Sequence, residues 1–263
     1  MSIYDYGPIL AFCVAFAACL GAICGSFLNC AAFRIVRGEP FVKGHSRCPT
    51  CGHELGPLEL IPVLSWLVQG GRCKWCKAKI SPRYPLTELA FALITVLCLL
   101  RFDLTALCLR NWVFLGCLFL LTLTDLEAML IPDGCHIAAI VAWVAALPFV
   151  GQTKQDILFS VITAAVLCGG LLGISLILDK ILGRDSLGGG DIKLLAVVGL
   201  YLGPIASMFA LMLACAIGLL FHALARRRTE GDRAFPFGPS IALAAAAMLL
   251  YGEPLVNWYR ALL

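Results

Sequence analysis

Charged residues are scarce in this chain. Of its 263 residues, 14% are Asp, Glu, Lys or Arg and 61% are hydrophobic, and the mean hydropathy is +0.93. A soluble domain carries about 25% charged and 45–50% apolar residues, so this composition excludes an ordinary soluble protein. Several apolar runs exceed the roughly 18 residues that indicate a membrane-spanning helix. We therefore predict an all-α polytopic membrane protein.

Two further features are missing. No Lys or Arg precedes the first apolar run, which extends from about Ile9 to Phe33, and the first basic residue is Arg34. A secretory signal peptide carries basic residues before its apolar stretch, so we expect this run to be a retained transmembrane helix. A strand followed by G-x-G-x-x-G is also missing, which leaves no readable Rossmann-type nucleotide site.

Six more apolar runs follow a long polar loop, and Gly203-Pro204 interrupts the fifth of them, at about 192–220. If that run counts as two segments, about eight transmembrane or membrane-embedded helices result, and 16 of the 20 Lys and Arg lie on the loop side. If it counts as one, the cluster Arg226–Arg228 moves to the other face. The positive-inside rule favours eight helices and a cytoplasmic loop. The predicted parts are a first transmembrane helix (1–33), a loop domain (34–85) and a transmembrane domain (86–263).

Cysteine usage divides in two. Ten of the 14 cysteines lie in apolar runs, where the residue behaves as a small hydrophobe. The others form two C-x-x-C pairs in the polar loop: Cys48, Cys51, Cys73 and Cys76. Such pairs bind Zn²⁺ through four thiolates, and a reducing cytoplasm favours metal over a disulfide. We predict a closed, structural zinc site in which the neighbouring His45 and His53 are not needed.

Two carboxylates are expected at the cytoplasmic membrane face. Asp191 follows Gly188-Gly189-Gly190 and opens an apolar run, and Asp125 ends the run at 104–124. Ionisable residues are costly in lipid and are usually functional there, while glycines permit a close approach of another chain. A helix cap is the simpler alternative for Asp191, but a cap does not require a second carboxylate on the same face.

The motifs of this chain also follow one another in a known order. They are Gly25-Ser26-Phe27-Leu28-Asn29, the two C-x-x-C pairs, Arg83-Tyr84-Pro85-Leu86-Thr87-Glu88, Asp125 with Ile131-Pro132-Asp133, Gly188-Gly189-Gly190-Asp191-Ile192-Lys193-Leu194, and Pro236-Phe237-Gly238-Pro239. From about Gly21 to Pro239, the chain thus resembles the type IV prepilin peptidases. These are multi-pass aspartic peptidases of the G-x-G-D type in the bacterial inner membrane.

The resemblance implies an activity and its residues. Such enzymes cleave the leader of prepilins and pseudopilins after a Gly at the cytoplasmic face, and serve type IV pili or type II secretion. Members with this cysteine loop also N-methylate the new N-terminal residue with S-adenosylmethionine. By the same resemblance, Asp125 and Asp191 are catalytic and Gly188 and Gly190 belong to the active-site loop. The methyl-donor site is not assigned to any residue, and the expected partners are the substrates and membrane lipid, not nucleic acid.

Amide hydrolysis by two carboxylates needs one ionised and one protonated group. The ionised group takes a proton from water, and the protonated group polarises the scissile carbonyl. Which aspartate has which role is a property of the pair and is not assigned.

Several other polar residues keep open roles. Glu88 is expected to contact the loop or the active site, and Asn29 the substrate or the methyl donor. Helix capping is the preferred interpretation of Asp133. Lys193 is expected to pair with a carboxylate or to extend towards lipid headgroups.

Two alternative functions compete. A presenilin-like intramembrane protease would have Tyr-Asp in the upstream helix and Pro-Ala-Leu near the end, whereas this chain has Thr124-Asp125 and Pro236-Phe237. A non-enzymatic assembly scaffold with a zinc module would leave two aspartates on one membrane face and the triple glycine without a purpose.

Overall fold

The structure, a computed structural model, describes residues 7–40, 44–183, 187–226 and 236–262. Apart from a 3-10 helix and two isolated β-bridges, the regular structure of these residues is α-helical, which confirms the predicted all-α class. The helices are α1 (Gly7–Val36), α2 (Leu64–Val68), α3 (Arg83–Phe102), α4 (Ala106–Ala128), α5 (Asp133–Val150), α6 (Lys154–Leu182), α7 (Gly189–Arg226), α8 (Gly238–Tyr251) and α9 (Glu253–Arg260).

Six of these helices are long and apolar enough to cross a membrane, and the bent pair α8 and α9 makes a possible seventh span. The chain is thus a multi-pass membrane protein. Helix α7 has 38 residues but is broken at Gly203, whose φ of 70° and ψ of −176° are not helical. The predicted interruption is confirmed there. Eight segments result only if the two pieces of α7 enter the membrane separately, which stays a prediction. Of the cluster Arg226–Arg228, Arg227 and Arg228 lie outside the described residues.

The chain forms two compact units, 1–112 and 113–263. In the first, α1 packs along α3 through two glycines four residues apart. A Cβ on Gly21 would lie 2.7 Å from the Ala92 Cα, and one on Gly25 would lie 3.1 Å from the Glu88 Cα. Small residues at this spacing let two membrane helices approach backbone to backbone. The polar loop, with α2, connects the two helices.

In the second unit, α7 is the central helix. It packs against α5, α6 and α8, and a Cβ on Gly199 would lie 3.2 Å from the Ala164 Cα of α6. Helix α8 is buried along much of its length. After it the chain bends by 74° into α9, a short helix that apolar runs do not reveal because charged residues stand at both of its ends.

Candidate functional site

Asp125 lies in the last turn of α4 and is 5% exposed. Its Oδ2 accepts a hydrogen bond from the backbone N–H of Gly238 at 3.0 Å. Gly238 is the first residue of α8 and follows Pro236-Phe237. A Cβ at this position would be 2.6 Å from Asp125 Oδ2. Only glycine therefore lets the backbone of α8 approach the carboxylate this closely.

Asp191 is the third residue of α7 rather than its cap. Its backbone N–H bonds to the carbonyl of Gly188 at 3.0 Å, and its Oδ2 lies 3.1 Å from the place that a Cβ on Gly188 would take. Its Oδ1 is buried and has no hydrogen-bond partner among the residues that the structure describes. The capping alternative is wrong, and one carboxylate oxygen is left for another group.

Ile131 joins the surroundings of the two aspartates. Its Cβ lies 2.9 Å from the position of a Cβ on Gly190, next to Asp191, and its Cδ1 lies 3.4 Å from that of a Cβ on Gly238, which binds Asp125. The structure thus brings together two carboxylates that are 66 positions apart in the sequence, with glycine backbone beside each.

The neighbouring glycines allow a matched test. A Cβ on Gly190 meets Ile131, whereas a Cβ on Gly189 has nothing within 4 Å. We expect Gly190→Ala to shift the start of α7 and to lower the peptide cleavage that the resemblance implies roughly 10²-fold, since a displacement near 1 Å has that effect. Gly189→Ala should keep the wild-type rate. Equal rates for the two variants, at equal protein levels, would contradict the role given to Gly190.

A second polar cluster lies at the same end of α7. Lys193 Nζ binds Asp133 Oδ1 at 2.7 Å, and both side chains are more than half exposed. The cap expected at Asp133 is wrong, because the N-cap position of α5 is taken by Pro132 and Asp133 is the first residue of the helix itself. Of the two roles predicted for Lys193, pairing with a carboxylate is the one that the structure shows. His136, which the sequence did not single out, is buried with its Nδ1 3.8 Å from Asp133.

The four loop cysteines converge as predicted. Their Sγ atoms all lie within 4.8 Å of one another. Four sulfurs at about 2.3 Å from a tetrahedral Zn²⁺ are about 3.8 Å apart, and Cys48 Sγ and Cys76 Sγ are separated by 3.8 Å. The residues therefore fit a metal such as zinc, bound by Cys48, Cys51, Cys73 and Cys76. A complete set of four protein ligands leaves no open coordination position, which is typical of a structural site.

Both cysteine pairs have the same turn geometry. Cys48 and Cys73 donate their N–H groups to His53 and Ala78, and accept bonds from Gly52 and Lys77. The backbone N–H groups of Cys51 and Thr50 lower the pKa of the Cys48 thiol to about 6, which favours the thiolate that binds metal. His53 packs its ring against Trp75 at 4.3 Å and is not among the four side chains that converge.

Glu88 holds the metal loop to α3. It is 8% exposed, and its Oε2 accepts the N–H of Val63 at 2.7 Å. Val63 has a φ of 62°, and the carbonyl of Pro62 accepts the N–H of Leu64 across it at 2.6 Å. This is a γ-turn that a β-branched residue adopts only under strain. Of the two roles predicted for Glu88, the contact with the loop is present. Asn29 is buried on α1, and its function stays a prediction.

Sequence comparisons identify the relatives of this chain. The model of the bacterial peptidase A24 N-terminal domain matches residues 19–102, and that of the type IV leader peptidase family matches residues 112–223. No solved structure matches the chain.

The individual relatives cover nearly the whole chain. A protein of Bacillus subtilis (strain 168) is 34% identical over 91% of this chain and 94% of its own length. One of Pseudomonas aeruginosa is 30% identical over 98% of both chains, and one of Myxococcus xanthus is 34% identical over 89% of this chain and 70% of its own. Each is named a prepilin leader peptidase/N-methyltransferase.

Proposed function

Because this chain belongs to the type IV leader peptidase family, we propose that it removes the leader of type IV prepilins or pseudopilins by hydrolysing the bond after a Gly. The chain is a membrane aspartic peptidase by its family. The proposed site of cleavage is the cytoplasmic face of the bacterial inner membrane, and the catalytic residues are Asp125 and Asp191.

The arrangement of the two aspartates carries this proposal. Asp125 is held by the N–H of Gly238, while Asp191 keeps one buried oxygen that no described residue binds. Both are next to glycine backbone, which can admit an extended peptide. A lone helix cap or a structural ion pair would need neither the second carboxylate nor the unpaired oxygen.

The reaction follows from the two protonation states. The ionised aspartate removes a proton from water, and the resulting hydroxide attacks the scissile carbonyl, whose oxygen is polarised by the protonated aspartate. Collapse of the tetrahedral intermediate breaks the C–N bond, and a proton passes to the leaving amine. The pair is then ready for another cycle. Close like charges are what keeps one carboxyl group of such a pair protonated.

An apolar cavity of about 230 Å³ is lined mainly by residues of α6 and α7, and neither aspartate is among its lining residues. Its lining includes Leu195, which is four residues after Asp191 and so on the same face of α7, and Phe237, which precedes Gly238. A third lining residue, Leu187, precedes the glycines. The cavity is smaller than the roughly 300–1,000 Å³ of a drug-sized ligand site.

We propose N-methylation of the new N-terminal residue as a second activity, with S-adenosylmethionine as the donor. The names of the relatives support it, and the four loop cysteines lie within residues 19–102, which match the family's N-terminal domain. The donor site itself is not assigned to residues.

One assay tests both activities. The full-length protein, reconstituted in lipid, is given a prepilin and S-adenosylmethionine, and the product is analysed by mass spectrometry. We expect a product that starts after the leader Gly and carries one added methyl group. An intact prepilin would contradict the peptidase proposal and favour the scaffold alternative. Cleavage at several sites within the apolar segment would favour a presenilin-like protease.

A further inference from the structure

Two cysteines outside the metal loop face each other across the α3–α4 turn. Cys98, in the penultimate turn of α3, is fully buried, and Cys108, in the first turn of α4, is half-buried. Their Sγ atoms are 3.9 Å apart. Each thiol also points at the other's backbone carbonyl, at 3.6 Å from Cys98 Sγ and 3.7 Å from Cys108 Sγ.

The distance between these thiols is set by contacts on both sides of the pair. At the turn, Thr105 Oγ1 accepts the N–H of Cys108 at 3.2 Å and donates to the carbonyl of Phe102 at 2.7 Å. On the other side, Trp112 Nε1 donates to Thr95 Oγ1 at 2.9 Å. The end of α3 and the first turns of α4, up to Trp112, are therefore held in a fixed register, and the cysteines are opposite each other in it.

The pair lies at the end of α3 that is remote from the metal loop. Helix α3 begins at Arg83, where the loop ends, and its 20 residues rise about 30 Å at 1.5 Å per residue, the thickness of a bilayer core. If the loop is cytoplasmic, Cys98 and Cys108 lie near the opposite, periplasmic face. Thiols persist on the cytoplasmic side of the membrane, whereas disulfides form and persist on the periplasmic side.

We propose that Cys98 and Cys108 form a disulfide that staples α3 to α4 in the native membrane. A disulfide needs an S–S distance of about 2.05 Å, so the sulfurs, now 3.9 Å apart, must approach by about 1.9 Å. Because α3 also carries Glu88, the staple fixes the helix to which the metal loop is bound.

The bond forms by thiol–disulfide exchange with an oxidised dithiol protein of that compartment. Cys108, the more accessible thiol, attacks the disulfide of the oxidant as a thiolate and forms a mixed disulfide. The Cys98 thiolate then attacks the sulfur of Cys108 and releases the reduced oxidant. Two electrons and two protons leave the pair, and the oxidant takes them up.

The wild-type protein itself provides the test. Cells are quenched with N-ethylmaleimide to block free thiols, and the purified protein is digested with trypsin without reduction. Cleavage after Arg83, Arg101 and Arg110 puts Cys98 in peptide 84–101 and Cys108 in peptide 102–110. We expect mass spectrometry to find these two peptides linked, and to find them separate after reduction.

Recovery of the two peptides unlinked, with or without maleimide on Cys98 and Cys108, overturns the proposal, since two packed cysteines then act only as small hydrophobes. A second measurement separates a staple from incidental oxidation. A reducing agent should lower the melting temperature of the wild-type protein in detergent and leave that of a Cys98→Ser, Cys108→Ser variant unchanged. An equal response of the two proteins would count against the staple.

Discussion

Asp125→Asn and Asp191→Asn are each expected to lower prepilin cleavage by roughly 10³-fold or more, because general acid–base catalysis supplies about 10²–10⁴-fold. Asparagine has nearly the shape of aspartate but cannot exchange a proton in this role. At position 125 its carbonyl oxygen can still accept the Gly238 N–H that binds Asp125 Oδ2. The substitution therefore removes the chemistry and keeps the contact between α4 and α8.

The matched control is Glu127→Gln, which removes an exposed carboxylate two residues from Asp125. It should cleave at the wild-type rate. Supplying a peptide that already lacks its leader bypasses the cleavage step, and methylation of that peptide by the two Asn variants would show that they are folded. Processing of full-length prepilin at the wild-type rate by either Asn variant would remove that aspartate from the mechanism.

Much of the fold could be predicted because its cause is local. Apolar runs mark the helices, Gly203-Pro204 marks the break in α7, and C-x-x-C turns bring two ligands together. The helix ends were less well predicted, since their first turns are polar. Helix α6 begins at Lys154, three residues before its apolar run, because Thr153 and Asp156 form a capping box. Hydropathy reveals the part of a helix that lies in the membrane core, whereas capping bonds decide where the helix begins.

The contacts that build the site could not be read from the sequence. The donor to Asp125 is a backbone N–H, and it comes from a residue 113 positions away. No side-chain pattern reveals a backbone donor, although the glycine within Pro-Phe-Gly-Pro is a signal for a close backbone approach. The Asp133–Lys193 pair spans 60 positions. Asp133 follows a proline at the start of a helix, so its local sequence favoured a helix cap. Its side chain instead pairs with Lys193, which no local pattern reveals.

Removing the buried ligand from each cysteine pair is expected to have the second largest effect. Cys48 and Cys73 are 8% and 3% exposed, and each belongs to a different turn. The double variant Cys48→Ser, Cys73→Ser should bind less than about a tenth of the zinc of the wild type, because two hydroxyls replace two thiolates. Structural Zn²⁺ contributes roughly 10–16 kcal/mol in isolated zinc fingers. The control Cys19→Ser changes an exposed cysteine of α1 and should keep one zinc per chain in elemental analysis.

Loss of the metal should unfold the loop and spare the membrane helices. The loop is otherwise held by a few contacts, among them the Glu88–Val63 bond and the Trp66 Nε1 bond to the Ile80 carbonyl at 3.2 Å. Exposed apolar residues such as Leu58 and Val68 give it little core of its own, and so small a module depends on such a staple. We expect trypsin to cut the loop of the double variant at least about tenfold faster than that of the wild type, with unchanged helical circular dichroism. A loop that resists trypsin without zinc would show that α3 alone maintains its fold and that the four cysteines serve another purpose.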